Sequence, residues 1–318
     1  MRRRSGFTLI EMIVVLGIIS VILSLMLSAF HAGNEAARRI QCMNNMKQIH
    51  LALNNYHATH SVLPPGAVGS SRPFAEGAGG HRVGWIGSLL PFMEQAGIYQ
   101  TVNFELTVEH VANATAANCR LSAMACPDSY PRGDPAYASF LFGRPISPAP
   151  LRPPGLTSYV GCHHDVEKAI DADDHGVFFL NSRVRMADVA DGLSQTIFIG
   201  EVAAPTAVGY LAGGRSSLRN TGAPINGLDV EALGDLTKSS QWRSSSQDQE
   251  ALESALRIGT VRAPEGYVGG FGSQHQGNGA IFAFGDGSVR FVRASIDPAV
   301  YRRLGNRDDG EEIDGGAY

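Results

Sequence analysis

Met1-Arg2-Arg3-Arg4-Ser5-Gly6-Phe7-Thr8-Leu9-Ile10-Glu11 opens the chain, and the reading of the whole sequence turns on it. From Phe7 to Phe30 the only charge is Glu11. That run is longer than the about 20 apolar residues a helix needs to span hydrocarbon. The three arginines ahead of it hold the amino end in the cytoplasm and send the following chain outward. A secretory signal has a shorter apolar region, about 7–15 residues, and an A-x-A-like cleavage site. The residues around Ser28, Ala29 and Ala32 lack that spacing. Glu11 is costly inside a spanning segment, which marks it as a functional residue by default.

Cutting the chain after Gly6 would leave the free amine of Phe7 four residues from Glu11. On a helix that spacing lets the two groups face each other. The carboxylate can equally meet the amine of a neighbouring subunit and hold its register in an apolar bundle. Gly6-Phe7-Thr8-Leu9-Ile10-Glu11 resembles the processing motif of type IV prepilins and type II secretion pseudopilins. The resemblance implies that a prepilin peptidase cuts after Gly6, that Phe7 is N-methylated, and that Glu11 registers the subunits of a filament.

The remaining composition is unremarkable only on average. The 318 residues give a soft prior of about two domains. The charged fraction is 18%, against about 25% for soluble domains. A net charge of −4 argues against nucleic acid as a partner. The low charge reflects a membrane segment averaged into a polar, glycine-rich exterior domain.

Beyond Phe30 the pattern turns amphipathic. Ala36, Ile40, Met43, Ile49, Leu53 and Tyr56 recur at near-helical steps, with Arg38, Asn45, Gln48 and Asn55 between them. Pro64-Pro65-Gly66 ends this pattern, so one helix is expected from Phe7 to about His60. Short helices are expected over Trp85–Tyr99 and about 109–121. Strands are expected at Val177–Leu180, Thr196–Glu201, Ala280–Phe284 and Val289–Arg293. The last two flank Gly285-Asp286-Gly287-Ser288, a hairpin turn signal. Asp297-Pro298 reads as an N-cap and first-turn proline of a helix reaching about Leu304. Residues 203–263, rich in glycine and serine with a helix-like piece at Gln247–Ile258, read as an insertion over the sheet.

A broader resemblance covers nearly the whole chain. Its landmarks are Gln41-Cys42-Met43-Asn44-Asn45-Met46-Lys47-Gln48-Ile49, Pro64-Pro65-Gly66, Gly84-Trp85, Cys126-Pro127, Gly200-Glu201 and Asp286-Gly287-Ser288-Val289-Arg290-Phe291. These are similar to a large bacterial family of prepilin-like proteins known by domain of unknown function 1559 and a C-terminal H-x9-DG box. Here ten residues, not nine, separate His275 from Asp286. The resemblance implies an α+β, pilin-like fold. A long N-terminal helix, transmembrane over 7–30 and amphipathic over 31–63, would pack on an antiparallel β-sheet head of residues 64–318. Residues 1–6 would be the leader.

No enzyme signature stands out: G-x-x-x-x-G-K-[ST], H-E-x-x-H and G-x-S-x-G are all missing from the sequence. The chain is therefore expected not to be an enzyme and to take no cofactor. Glu201, His275 and Asp286 form the best candidate polar constellation. Asp171 and Asp173, with Gly176 at the sixth position, partly resemble a calcium loop. The twelfth position is Ser182, where such a loop carries glutamate. His163, His164 and Asp165 lie just upstream as possible transition-metal ligands. Cys42, Cys119, Cys126 and Cys162 face an oxidising compartment in this topology, where disulfides persist. Cys126 is able to pair with Cys119 or with Cys42.

The expected function is a structural subunit of the inner membrane. Its partners would be the prepilin peptidase, the membrane and other pilin or pseudopilin subunits. The assembled form would be a type IV pilus or a secretion pseudopilus, on the cell surface in the first case. The alternative is a membrane-anchored head that binds a solute or glycan.

Overall fold

A computed structural model describes residues 8–74, 83–108, 110–128, 155, 157–202, 209–227, 266–313, 316 and 318, with backbone only for 25–32. Residues 1–6, expected to be a leader, and Phe7 lie outside the described residues, as does Gln247–Ile258. The chain forms two compact units, residues 1–40 and 41–318.

Helix α1 runs from Leu9 to His60. Its start is written in Thr8-x-x-Glu11. The Thr8 N–H and hydroxyl both donate to Glu11 Oε2, at 2.8 and 2.9 Å, and Glu11 N–H donates to Thr8 Oγ1 at 3.3 Å. This reciprocal pairing satisfies donors that the first turn leaves open. At the other end Ser61 turns left-handed (φ 61°) and its N–H closes on His57 O at 2.7 Å. Pro64 and Pro65 follow, as the sequence predicts.

In the first unit Leu9, Ile10, Met12, Ile13, Val14, Leu16, Ile18, Val21 and Leu23 are all exposed, on every side of the helix. A helix that is apolar all round belongs in lipid or among other helices. Among the described residues no helix is long and apolar enough to cross a membrane. The side chains of residues 25–30, the last part of the expected span, lie outside those described.

In the second unit the helix changes character. Cys42, Met46, Ile49 and Leu53 are fully buried at steps of four, three and four. Ala36 and Ile40, expected on the same stripe, are exposed. Apolar spacing alone did not distinguish the residues that join the head from those that precede it.

Five strands make one sheet in the order β3-β1-β2-β4-β5: β1 Tyr159–His164, β2 Ile197–Glu201, β3 Leu218–Asn220, β4 Gly279–Phe284 and β5 Val289–Arg293. The β4–β5 hairpin falls where the sequence places it, with Gly287 at φ 84° in the turn. The antiparallel sheet expected needs correcting, because β3 runs parallel to β1. That strand lies in residues 209–227, inside the stretch read as an insertion. Val177–Leu180 is not a ladder strand: Val177 and Phe178 both donate to Cys162 O, and Leu180 makes an isolated bridge to Ala67. Trp85–Tyr99 breaks into two short α-helices, Trp85–Leu89 and Ala96–Tyr99, around a 3₁₀ turn at Leu90–Met93.

Alternation along the strands feeds two cores. Ile281 and Ala283 join Cys42, Met46, Ile49, Leu53, Trp85 and Phe178. Ala280, Phe282 and Phe284 join Tyr301 and Leu304 of the C-terminal helix, Pro298–Gly305. Helices therefore cover both faces of the sheet, which explains why β1, β2 and β4 are buried at every position. The C-terminal helix starts as expected: Asp297 Oδ1 accepts from Ala299 and Val300 N–H at 2.8 and 3.2 Å. Asp297→Ala is expected to cost about 1 kcal/mol in urea unfolding of the chain; no change would show that this cap is replaced by water.

Candidate functional site

The end of β2 carries Glu201, fully buried beneath the loop that leads into β4. Glu201 Oε2 accepts the Ile281 N–H at 3.0 Å, and Oε1 lies 3.2 Å from His275 Nε2. The other ring nitrogen of His275, Nδ1, lies 2.8 Å from Asp128 Oδ2. His275 is placed by its own loop: its N–H donates to Ser273 Oγ at 3.2 Å, and that hydroxyl donates to Gly279 O at 2.8 Å. Each ring nitrogen of His275 thus faces one carboxylate. Buried polar groups are retained at low cost where they pair with one another, as Glu201 Oε1 and His275 Nε2 do.

Against this triad lies the disulfide Cys42–Cys126, with Cα atoms 5.3 Å apart. Cys126 Sγ is 3.6 Å from His275 Nε2. Cys119 and Cys162 remain thiols. Cys162 is buried, and burial pushes its thiol well above the usual range. The site thus gathers α1, the loop at 125–128, β2 and the segment before β4. Chemically it can fix these elements in register; its two sulfurs are spent on each other and offer no attacking thiolate.

Of the three residues expected together, the structure unites Glu201 and His275 but not Asp286. Asp286 sits in the hairpin turn, where Oδ1 accepts Ser288 N–H at 2.8 Å. Asp128 takes the expected place. The cue was adjacency: Asp128 follows the Cys126-Pro127 landmark, and the cysteine brings it to the site.

A second polar cluster lies where β1 ends. His163 Nδ1 pairs with Asp174 Oδ2 at 2.8 Å, both fully buried, and burial lowers the pKa of His163 despite that partner. His164 is likewise lowered by burial. Burial alone would raise Asp165, but the His164 ring outweighs it and holds the carboxyl well below the usual range. Gly176 lets the following loop reach β1, since a Cβ there would stand 2.5 Å from Cys162 O. Asp171 and Asp173, the candidate calcium ligands, are bridged by Arg72 at 2.7 and 3.4 Å. That guanidinium lowers the pKa of Asp171.

Residues 31–299 match the family described as Protein of unknown function (DUF1559), SBP_bac_10. The chain belongs to the DUF1559 family. Residues 1–27 of this DUF1559 chain also match the Prokaryotic N-terminal methylation motif, which makes it a type IV pilin- or pseudopilin-like precursor. Neither description assigns catalysis. No curated protein and no solved structure matches the chain.

Proposed function

We propose that this DUF1559 chain is a filament subunit. It is cut after Gly6 by a prepilin peptidase, methylated at Phe7, and held in the inner membrane by residues 7–30 with its amino end cytoplasmic. The apolar helices of many subunits then bundle into a type IV pilus or secretion pseudopilus-like filament, with the head outside the bundle. The observation that carries this reading is a methylation motif at residues 1–27 on a helix whose apolar residues from Leu9 to Leu23 are uncovered on all sides. Such a surface calls for lipid first and for neighbouring helices on assembly.

Glu11 has two roles to separate. Its carboxylate caps α1 through Thr8, and it is also the group proposed to meet a neighbour's methylated amine. Glu11→Gln retains a side chain able to complete a T-x-x-E/Q cap but removes the charge. Filaments in surface-sheared material should disappear in Glu11→Gln while membrane insertion persists. Mass spectrometry of the mature chain should show N-methylated Phe7 as its first residue. Normal filaments from the variant would sink the registering role, and a mature chain beginning at Met1 would remove the processing claim. A head that binds a solute in a strain with no filament would favour the anchored binding module instead.

A further inference from the structure

We propose that His164, Asp165 and His175 form a site for a divalent transition-metal ion, with Zn²⁺ as the probe cation. One donor atom from each residue lies within 4.8 Å of the others. The contacts among them show how they converge. Asp165 Oδ1 stands 2.6 Å from His164 Nδ1 and 2.9 Å from His175 Nδ1. Asp165 Oδ2 turns the other way and accepts Asn306 Nδ2–H at 3.2 Å. The carboxylate is therefore fixed with one oxygen left to two imidazoles, whose rings lie 4.3 Å apart.

Hydrogen-bond accounting at His164 points to a cation. The Val166 N–H donates to His164 Nδ1 at 3.0 Å, which needs a lone pair there. Asp165 Oδ1, 2.6 Å from that nitrogen, needs a proton there. A neutral ring meets one demand or the other. A cation that takes the Nδ1 lone pair in place of the Val166 N–H meets the Asp165 carboxylate oxygen at the same point.

A second observation lies on the far side of the ring. His164 is 2% exposed, yet among the described residues its Nε2 has no hydrogen-bond partner. That nitrogen faces the buried Asp174 Oδ1 at 3.9 Å. With Nδ1 on a metal, the proton belongs on Nε2, pointing at Asp174. A carboxylate behind a ligating histidine is the usual way such rings are oriented. Asp174 is itself held by His163 Nδ1 at 2.8 Å and the Asp171 N–H at 3.0 Å.

The donor set suits the ion class. Two imidazoles and one carboxylate favour zinc, copper, iron or nickel over calcium and magnesium, which take oxygen ligands. Three protein ligands leave a fourth position for water or another donor. The His175 side chain is 52% exposed, so the position is reachable from solvent. A bound ion would staple the end of β1 to the loop carrying His175 and, through Asn306, to the segment after the C-terminal helix. Nothing in this site depends on filament assembly.

The test uses the full-length chain in detergent, without a histidine tag, stripped with chelator and desalted. Titration with Zn²⁺ against a chromogenic competitor should show one equivalent bound, and Co²⁺ should give a visible d–d band. His175→Ala and Asp165→Asn should each weaken binding at least about 10-fold. His175 is half exposed, so its variant should melt like the wild type in chelator, which separates lost ligation from lost folding. A wild-type chain that binds no Zn²⁺ would overturn the proposal. Unchanged affinity in both variants would do the same.

Discussion

Replacing Cys42 and Cys126 together by Ser is expected to lower the unfolding free energy of the head by about 4–5 kcal/mol. The two residues are 84 apart in sequence, so the bridge closes a long loop and removes much of the freedom of the unfolded chain. A loop of about 100 residues is worth roughly 4.7 kcal/mol in that entropic account, and a 15-residue loop about 3. The location adds to the effect. Cys42 is the first fully buried residue on the head's portion of α1, and Cys126 adjoins Asp128 in the triad. Without the bridge, α1 is held by the packing of Met46, Ile49 and Leu53 and by hydrogen bonds such as Asn45 Nδ2 to Ala125 O. Urea unfolding of the full chain should show the loss, and reductant should bring the wild type to the same midpoint. A change below about 1 kcal/mol would mean that side-chain packing alone holds α1 to the sheet.

Legibility in the sequence follows locality. The helix from Leu9 to His60, the β4–β5 hairpin and the capped helix at Pro298 are each specified by residues within a few positions, and each lies where the pattern puts it. β1, Tyr159–His164, is not among the expected strands, because its apolar run is short and ends in two histidines. Buried His163 pairs with Asp174, eleven residues on, a partner that only the folded chain brings to it. β3 was missed because a three-residue parallel strand carries no periodicity. Val177–Leu180 fails in the opposite sense: its apolar residues are buried, but the Val177 and Phe178 N–H groups share Cys162 O, Phe179 donates to Ser182 Oγ and Leu180 to Asp171 O, so no ladder forms.

The candidate site divides in the same way. Glu201 and His275 were legible as landmarks of a resemblance, whereas their union with Asp128 and the disulfide depends on four segments meeting. Asp286 was drawn in by the box that names it with a histidine. A hairpin turn, however, holds its aspartate by local bonds and leaves it no reach toward the end of β2. For the methylation motif no tertiary information was needed, because a peptidase reads a linear segment.

His275→Ala is expected to destabilise the head by about 3–5 kcal/mol, the cost of removing one member of a buried charged cluster. The substitution removes the imidazole that stands between Glu201, fully buried, and Asp128, nearly so. Glu201→Ala should cost a similar amount by a different route, because it strips the Ile281 N–H and His275 Nε2 of their acceptor together. The two losses share one interaction, so the double variant should be destabilised by clearly less than their sum, with a coupling of about 1–3 kcal/mol. Glu201→Gln separates charge from hydrogen bonding: it can still accept from Ile281 and should lose less than Glu201→Ala. The measurement is a double-mutant cycle in urea, with the disulfide intact in every variant. Strict additivity would show that the histidine and the carboxylate do not act as a unit. Losses under about 1 kcal/mol in both single variants would show that the register of β2 against the loop before β4 is held elsewhere. If the cycle closes as expected, the triad is a second tie on the junction that the disulfide also holds. The covalent tie acts mainly on the unfolded chain, and the charged tie acts on the native sheet.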